Sequence, residues 1–270
     1  MTRTSLRLFI IVGIGSLGLA APSVAQAACT GGSTLNGYYG LEVNGQTPSA
    51  VGKFLNGVVY FNGSCALQAN VTIGENSSVN AFANFNGTYN TNPDNTISIS
   101  FTLPGASTPE TYVVGYSPIF NEATGVETDS SATASIDLKA QNYPASGNHN
   151  VYNNASLKGT WAATCTGING DANSDLNYIS FDGSTSNYGV FGNVTGLDDT
   201  NDSAQYADLP LTGEYGVNPV GDFGGYSVVG STTVGFSGVI DNNLNEIQYN
   251  VSTAGSNGAD VEACVAKRVK

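Results

Sequence analysis

One histidine, one tryptophan and one methionine occur in 270 residues, and eight basic residues face 21 acidic ones. No stretch has the periodicity of an amphipathic helix long enough to stand alone. Each shortage narrows the chemistry. Ser-His-Asp and Cys-His catalysis need an imidazole, and the single one, His149, falls in a turn-rich stretch without strand pattern. Imidazole-based metal sites are excluded for the same reason, which leaves calcium as the one metal to consider. So few lysines and arginines make no basic patch for phosphate, so nucleic acid and anionic membrane surfaces are poor partners. Charged residues are 11% of the chain, and Asn, Ser, Thr and Gly do most of the solvating.

The N-terminal residues read as a secretory signal peptide. Arg3 and Arg7 precede an uncharged apolar run from Leu8 to Ala21, and Ala25-Gln26-Ala27 offers small residues at a cleavage site. Residues 1–27 are therefore expected to be removed, which takes the net charge from −13 to −15. The apolar run is short for a bilayer span and Pro22 follows it at once, so no membrane span is expected in the mature protein. Four cysteines remain: Cys29, Cys65, Cys165 and Cys264. An even number in an exported chain points to two disulfides. Three pairings are possible, and the one that stays within each half of the chain, Cys29–Cys65 with Cys165–Cys264, is favoured.

What is present in abundance is strand pattern. In Ile97-Ser98-Ile99-Ser100-Phe101-Thr102-Leu103 the apolar side chains share one face and the hydroxyls the other. Val58 to Phe61, Ala81 to Phe85, Tyr112 to Val114 and Ile136 to Leu138 read as further strands. Asn62-Gly63, Asn86-Gly87 and Pro104-Gly105 read as turns between them. Short connections predict hairpins and an antiparallel meander, not βαβ units.

The pattern occurs twice. Leu35-Asn36-Gly37-Tyr38-Tyr39 corresponds to Leu157-Lys158-Gly159-Thr160-Trp161, 122 residues on. Phe61-Asn62-Gly63-Ser64 returns as Phe181-Asp182-Gly183-Ser184, Gly87-Thr88-Tyr89 as Gly213-Glu214-Tyr215, and Gly115-Tyr116-Ser117 as Gly235-Phe236-Ser237. Landmarks in one order at nearly constant offset predict a tandem duplication of a domain of about 120 residues. The expected division is residues 28–141, a linker at 142–154, and residues 155–270. Each half has room for about seven to nine short strands. A sheet of that size buries its apolar face by curling shut or by folding into a sandwich. The fold class is all-β, two tandem antiparallel meander barrels, with one continuous sandwich or barrel as the alternative. A Cys165–Cys264 bond would tie the first strand of the second half, at its end, to the last.

Gly159-Thr160-Trp161 on a first strand resembles the G-x-W opening of lipocalins and related calycin barrels. The resemblance implies a small up-and-down barrel, with a basic side chain near the C-terminal end packed over the tryptophan. Arg268 is the chemical match for that side chain, with Lys267 beside it. In the first half Gly37-Tyr38-Tyr39 carries tyrosine in place of the tryptophan, and no arginine follows its last strand.

Candidate sites are few. Asp171, Asn173 and Asp175 place oxygen ligands at alternate positions, as a calcium loop begins, although Leu176 stands where such a loop wants glycine. Glu42, Glu75, Glu110, Glu127 and Glu214 lie on or beside strands and are the carboxylates from which a catalytic pair would be drawn. Without aromatic platforms beside them the chain is read as a non-enzyme. Tyr39, Tyr89 and Tyr215 sit at strand positions suited to packing, or to lining a ligand cavity. The expectation is an exported, periplasmic or secreted, non-catalytic barrel protein with no cofactor beyond the calcium candidate. Its partner is a small apolar or amphipathic molecule or, in the alternative, a cell-surface or matrix component bound without a pocket.

Overall fold

The computed structural model describes residues 35–48, 52–75, 78–141, 152–169, 171–185, 191–200, 208–241, 243–255 and 258–269. The first half contributes β1 (Asn36–Gln46), β2 (Gly52–Asn62), β3 (Ala66–Glu75), β4 (Ser78–Thr91), β5 (Thr96–Phe101), β6 (Glu110–Ser117), β7 (Glu122–Glu127) and β8 (Thr133–Ala140). After the four-residue α1 (Asn154–Leu157) come β9 (Gly159–Asn169), β10 (Asp171–Phe181), β11 (Gly192–Thr200) and β12 (Asp208–Val217). The chain ends with β13 (Asp222–Val229), β14 (Thr232–Ile240), β15 (Glu246–Gly255) and β16 (Gly258–Arg268). Each strand pairs antiparallel with the next, β8 returns to β1, and β16 returns to β9. The result is two closed eight-stranded up-and-down barrels in tandem, calycin-like in topology, not one continuous sheet system.

Alternation makes the barrels. Ile97, Ile99 and Phe101 of β5 are buried while Ser98 and Ser100 stay half-buried. Leu41 and Val43 of β1 face Leu138 and Ile136 of β8 across the closing seam. Closure removes the unpaired edges an open sheet would present. Each barrel has its own apolar core, centred on Leu41, Phe61 and Phe101 in one and on Trp161, Phe181 and Phe223 in the other.

The repeat has a structural meaning at the level of side chains. Phe61 on the second strand meets Tyr89 on the fourth edge-on, ring centroids 4.9 Å apart, and Phe181 meets Tyr215 in the same way at 4.8 Å. The tyrosine hydroxyls donate to backbone carbonyls that precede the two first strands, Leu35 O at 2.9 Å and Asn154 O at 3.2 Å. After β2 the Asn62 side chain accepts from Ser64 N at 2.7 Å, and after β10 Asp182 accepts from Ser184 N at 2.9 Å. Gly63 and Gly183 sit in those two turns with the same φ of 72°, which only glycine adopts freely.

Three expectations need correction. Asn86-Gly87 is not a turn; both residues lie inside β4. A Cβ at Gly87 would fall on the Ser100 carbonyl oxygen and 2.8 Å from Phe101 Cβ, so the glycine serves close packing of β4 on β5. The 142–154 stretch is not wholly a linker. Tyr152 is buried in the second core, Asn153 caps α1 with its side chain on Ala155 N, and Asn154 opens the helix. Residues 142–151, His149 among them, lie outside the described residues. Cys165 sits in the middle of β9, not at its end.

The barrels pack side by side through outward faces. Gly40, Phe54, Asn56 and Val58 of β1 and β2 are buried there, as are Val239, Gln248 and Asn250 of β14 and β15. Asn56 Nδ2 donates to Gln248 O at 3.4 Å, and a Cβ on Gly40 would lie 2.9 Å from Val239.

Candidate functional site

The alternation that turns Leu55, Val59 and Phe61 of β2 into the first barrel also turns Lys53 inward. The same rule aims Glu110 inward from the start of β6, two residues before buried Tyr112, and Glu127 inward from the end of β7. The three meet at one end of the barrel. Lys53 Nζ lies 2.8 Å from Glu110 Oε1 and 3.0 Å from Glu127 Oε1, and the side chains are 2%, 8% and 0% exposed. Tyr112 OH donates to Glu110 Oε2 at 2.8 Å, and Ser131 Oγ donates to Glu127 Oε1 at 2.6 Å. Glu127 Oε2 is buried with no hydrogen-bond partner. Two carboxylates thus share one ammonium.

Burial dominates the electrostatics. It pushes the Glu110 carboxyl above its ordinary value despite the bonds from Lys53. Burial works against the charge of Lys53, but Glu110 and Glu127 together hold its pKa above the usual lysine value. Burial, followed by the charges of Glu110 and Glu127, pushes the Tyr112 phenol far up. Each carboxylate already engages Lys53, so neither is free to act as a paired acid and base on a substrate without displacing the lysine.

Beyond this cluster the described residues of the first barrel form a closely packed core. Tyr112 stacks on Phe101 at 5.4 Å, Phe101 on Phe85 at 4.6 Å, and Tyr39 meets Phe61 edge-on at 5.4 Å. A void of about 10 Å³ lies among Leu41, Val59, Phe61, Phe85, Ile99 and Ile136. It has the size of one water and no polar lining, and such voids stay dry. The tyrosines singled out as ligand-lining stand in these cores with partners of their own. Tyr39 OH donates to Asn121 Oδ1 at 3.2 Å and Tyr89 to the Leu35 carbonyl. Tyr215 OH donates to Asn154 O and accepts from Gly183 N at 2.9 Å, and burial pushes its pKa up to about 12.

The second barrel is shut at its N-terminal end. Gly159, with φ of 126°, lets β9 begin directly after α1. Trp161 is fully buried, and its indole nitrogen donates to Leu157 O at 2.8 Å. The Arg268 guanidinium carbon lies 4.6 Å from the Trp161 ring centroid, and Arg268 Nη2 donates to Ser156 O at 2.6 Å. Cys165 and Cys264 are cross-strand neighbours and form a disulfide. Glu262 brings a carboxylate near the two sulfurs, but both are consumed in that bond and offer no thiolate to a metal. Cys65 is also disulfide-bonded, while Cys29 lies outside the described residues.

The calcium candidates fall on strand backbone. Asp171, Asn173 and Asp175 belong to β10 and pair with Asn169, Gly167 and Cys165 of β9; their side chains lie outside the described residues. Of the five glutamates, Glu110 and Glu127 come together. Glu42 is buried between the barrels, Glu214 points out of the second, and the Glu75 side chain lies outside the described residues. Lys53 was missed in the sequence. Its signal was parity, because it shares a face with Leu55, Val59 and Phe61.

No family model matches the chain, and no curated protein matches it. Among solved structures, a protein of unknown function from the DUF3598 family of Nostoc punctiforme is 9% identical, with 87% of this chain and 96% of that one covered and a TM-score of 0.31. Transferrin binding protein B from Neisseria meningitidis is 8% identical, with 86% and 76% covered and a TM-score of 0.34. A putative AttH from Nitrosomonas europaea is 10% identical, with 92% and 99% covered and a TM-score of 0.31. Overlaps this loose say nothing about the chemistry of this chain.

Proposed function

We propose that this chain is an exported, non-catalytic two-barrel protein that works through its outer surface on a macromolecular partner at the cell surface or matrix. The observation that carries the reading is the core of the first barrel, packed among the described residues around an apolar void of about 10 Å³, with its polar end occupied by its own ion pairs. The signal-like N-terminus and the Cys165–Cys264 disulfide support export. The carboxylates that come together are engaged by Lys53, which supports a non-catalytic role. On the outside, Ile119 and Phe120 at the β6–β7 hairpin are 85% and 70% exposed, and Tyr178 and Leu197 pair across β10 and β11 on an exposed face. Each pair puts exposed apolar side chains side by side, where a partner could cover them. The acidic balance favours a partner with a basic face.

The test is fractionation of the producing cells together with extraction of the purified protein. The expected result is retention with the surface or matrix fraction, weakened in Ile119→Ser/Phe120→Ser, and no small molecule released on denaturation. Freely soluble protein carrying a stoichiometric ligand would overturn it.

A second reading keeps a small amphipathic ligand, and one observation favours it: the buried, unpartnered Glu127 Oε2 at the polar end of the barrel. That oxygen accepts a donor, so an alkylammonium is the matching probe and an alkyl sulfate the control. Calorimetric binding of the first, absent in Glu127→Gln, would favour this reading over the surface one.

A further inference from the structure

The joint between the barrels is built unlike either core. Glu42 points out of the first barrel because Leu41 and Val43 point in, and it is 7% exposed. Its cross-strand neighbours are Asn56 on β2 and Asp137 on β8. Lys139, two residues along β8, forms an ion pair across the joint with Glu246 of β15. Lys267 of β16 lies 3.7 Å from the other oxygen of Glu246 but is 75% exposed. Glu42 therefore stands beside Asp137 and within electrostatic reach of Glu246, with Lys139 as the well-covered cation among them. Around this group the amides are incompletely satisfied. Asn56 Oδ1, Gln141 Oε1, Gln248 Oε1 and both polar atoms of Asn250 are buried without partners. Buried amides at this density set the joint apart from the apolar cores on either side.

We propose that the joint between the two barrels is proton-operated, docked when the Glu42 carboxyl is protonated and released when it is ionised. In the docked arrangement an ionised Glu42 would be buried beside two other carboxylates, whereas a neutral one loses little. Burial first, then Asp137 and Glu246, push its pKa up to about 7 from an ordinary 4.5, with Lys139 opposing. Docking adds burial and the Glu246 charge to what Glu42 meets in the first barrel alone, so the docked value is the higher one and the contribution to docking is complete at low pH. It is lost as pH rises through about 7. The docked-to-released ratio is therefore expected to fall between pH 5 and pH 8.

The test is small-angle X-ray scattering of the full chain at pH 5 and pH 8, beside Glu42→Gln. The wild type is expected to gain maximum dimension at pH 8, while Glu42→Gln stays compact at both values. Asp137→Asn removes one of the charges that make the ionised state costly, and should blunt the opening. Circular dichroism at both pH values checks that the barrels stay folded. A wild type equally compact at pH 5 and 8 would overturn the proposal. So would an opening that Glu42→Gln and Asp137→Asn share in full, since that would reflect the general rise in negative charge.

Discussion

Cys165 and Cys264 stand directly opposite each other across the β9–β16 seam, with Cα atoms 4.0 Å apart and a disulfide between them. The bond spans 99 residues of sequence at the one pairing that closes the second barrel. A loop of that size removes much entropy from the unfolded chain. The double variant Cys165→Ala/Cys264→Ala is expected to lose about 4–5 kcal/mol of unfolding free energy in urea titration. A loss under about 1 kcal/mol would mean that the bond does not constrain the unfolded chain.

Arg268 covers Trp161 and also reaches the Ser156 carbonyl. Arg268→Ala gives up a cation–π contact of about 0.5–2 kcal/mol and a charged hydrogen bond of about 1.5–3 kcal/mol. The melting temperature should fall, and Trp161 emission should shift to the red as water reaches the ring. Arg268→Lys should recover less than half of the loss, because an ammonium cannot stack and fork as a guanidinium does. Equal stability of the Lys and Arg forms would show that charge alone matters here.

Lys53→Met leaves Glu110 and Glu127 buried with no cation, a change expected to cost about 3–5 kcal/mol. The triple variant Lys53→Met/Glu110→Leu/Glu127→Leu should return to within about 1 kcal/mol of wild type, because the desolvation of all three charges goes with them. The wild type has a matching pH signature. The Lys53 pKa is raised on folding, so its contribution is present below the ordinary lysine value and lost as pH rises through the folded one. The alkaline loss of stability should be absent in the triple variant, as thermal melts from pH 9 to pH 12 would report.

Asp182 and Asn62 hold equivalent turns, but only Asp182 titrates. Slight burial works against its charge, and hydrogen bonds from Ser184 and Asn193 outweigh that, bringing its pKa down to about 2. What it adds is present above the ordinary aspartate value and lost as pH falls through about 2. Carboxyl titration by NMR should find this value. Amide exchange near pH 2 should loosen the β10–β11 connection in the second barrel before the β2–β3 turn in the first. Equal loosening of both would mean that the carboxylate adds nothing beyond what Asn62 supplies.

Much of this architecture was legible because it is periodic. Ile97 to Phe101 alternates, so it had to be a half-buried strand. The Phe61/Phe181 and Tyr89/Tyr215 landmarks recur at nearly constant offset, so two like domains followed. The exceptions have local causes. Asn86-Gly87 carries the same two letters as Asn62-Gly63, yet one pair lies in a strand and the other in a turn. What separates them is the Ser100 carbonyl pressed against Gly87, a contact made by another strand.

The sequence by itself determined the all-β class and the duplication, and it favoured Cys165–Cys264 among three possible pairings, because these rest on alternation and spacing along one chain. Only the tertiary structure decided that Lys53 holds Glu110 and Glu127 inside one barrel, and that Glu42 feels the charge of Glu246 of the other. The physical reason is shared. Which face of a strand is buried depends on what packs against it, and the residues that do so here are 57 to more than 200 positions away, joined by closure and docking, not by any local period.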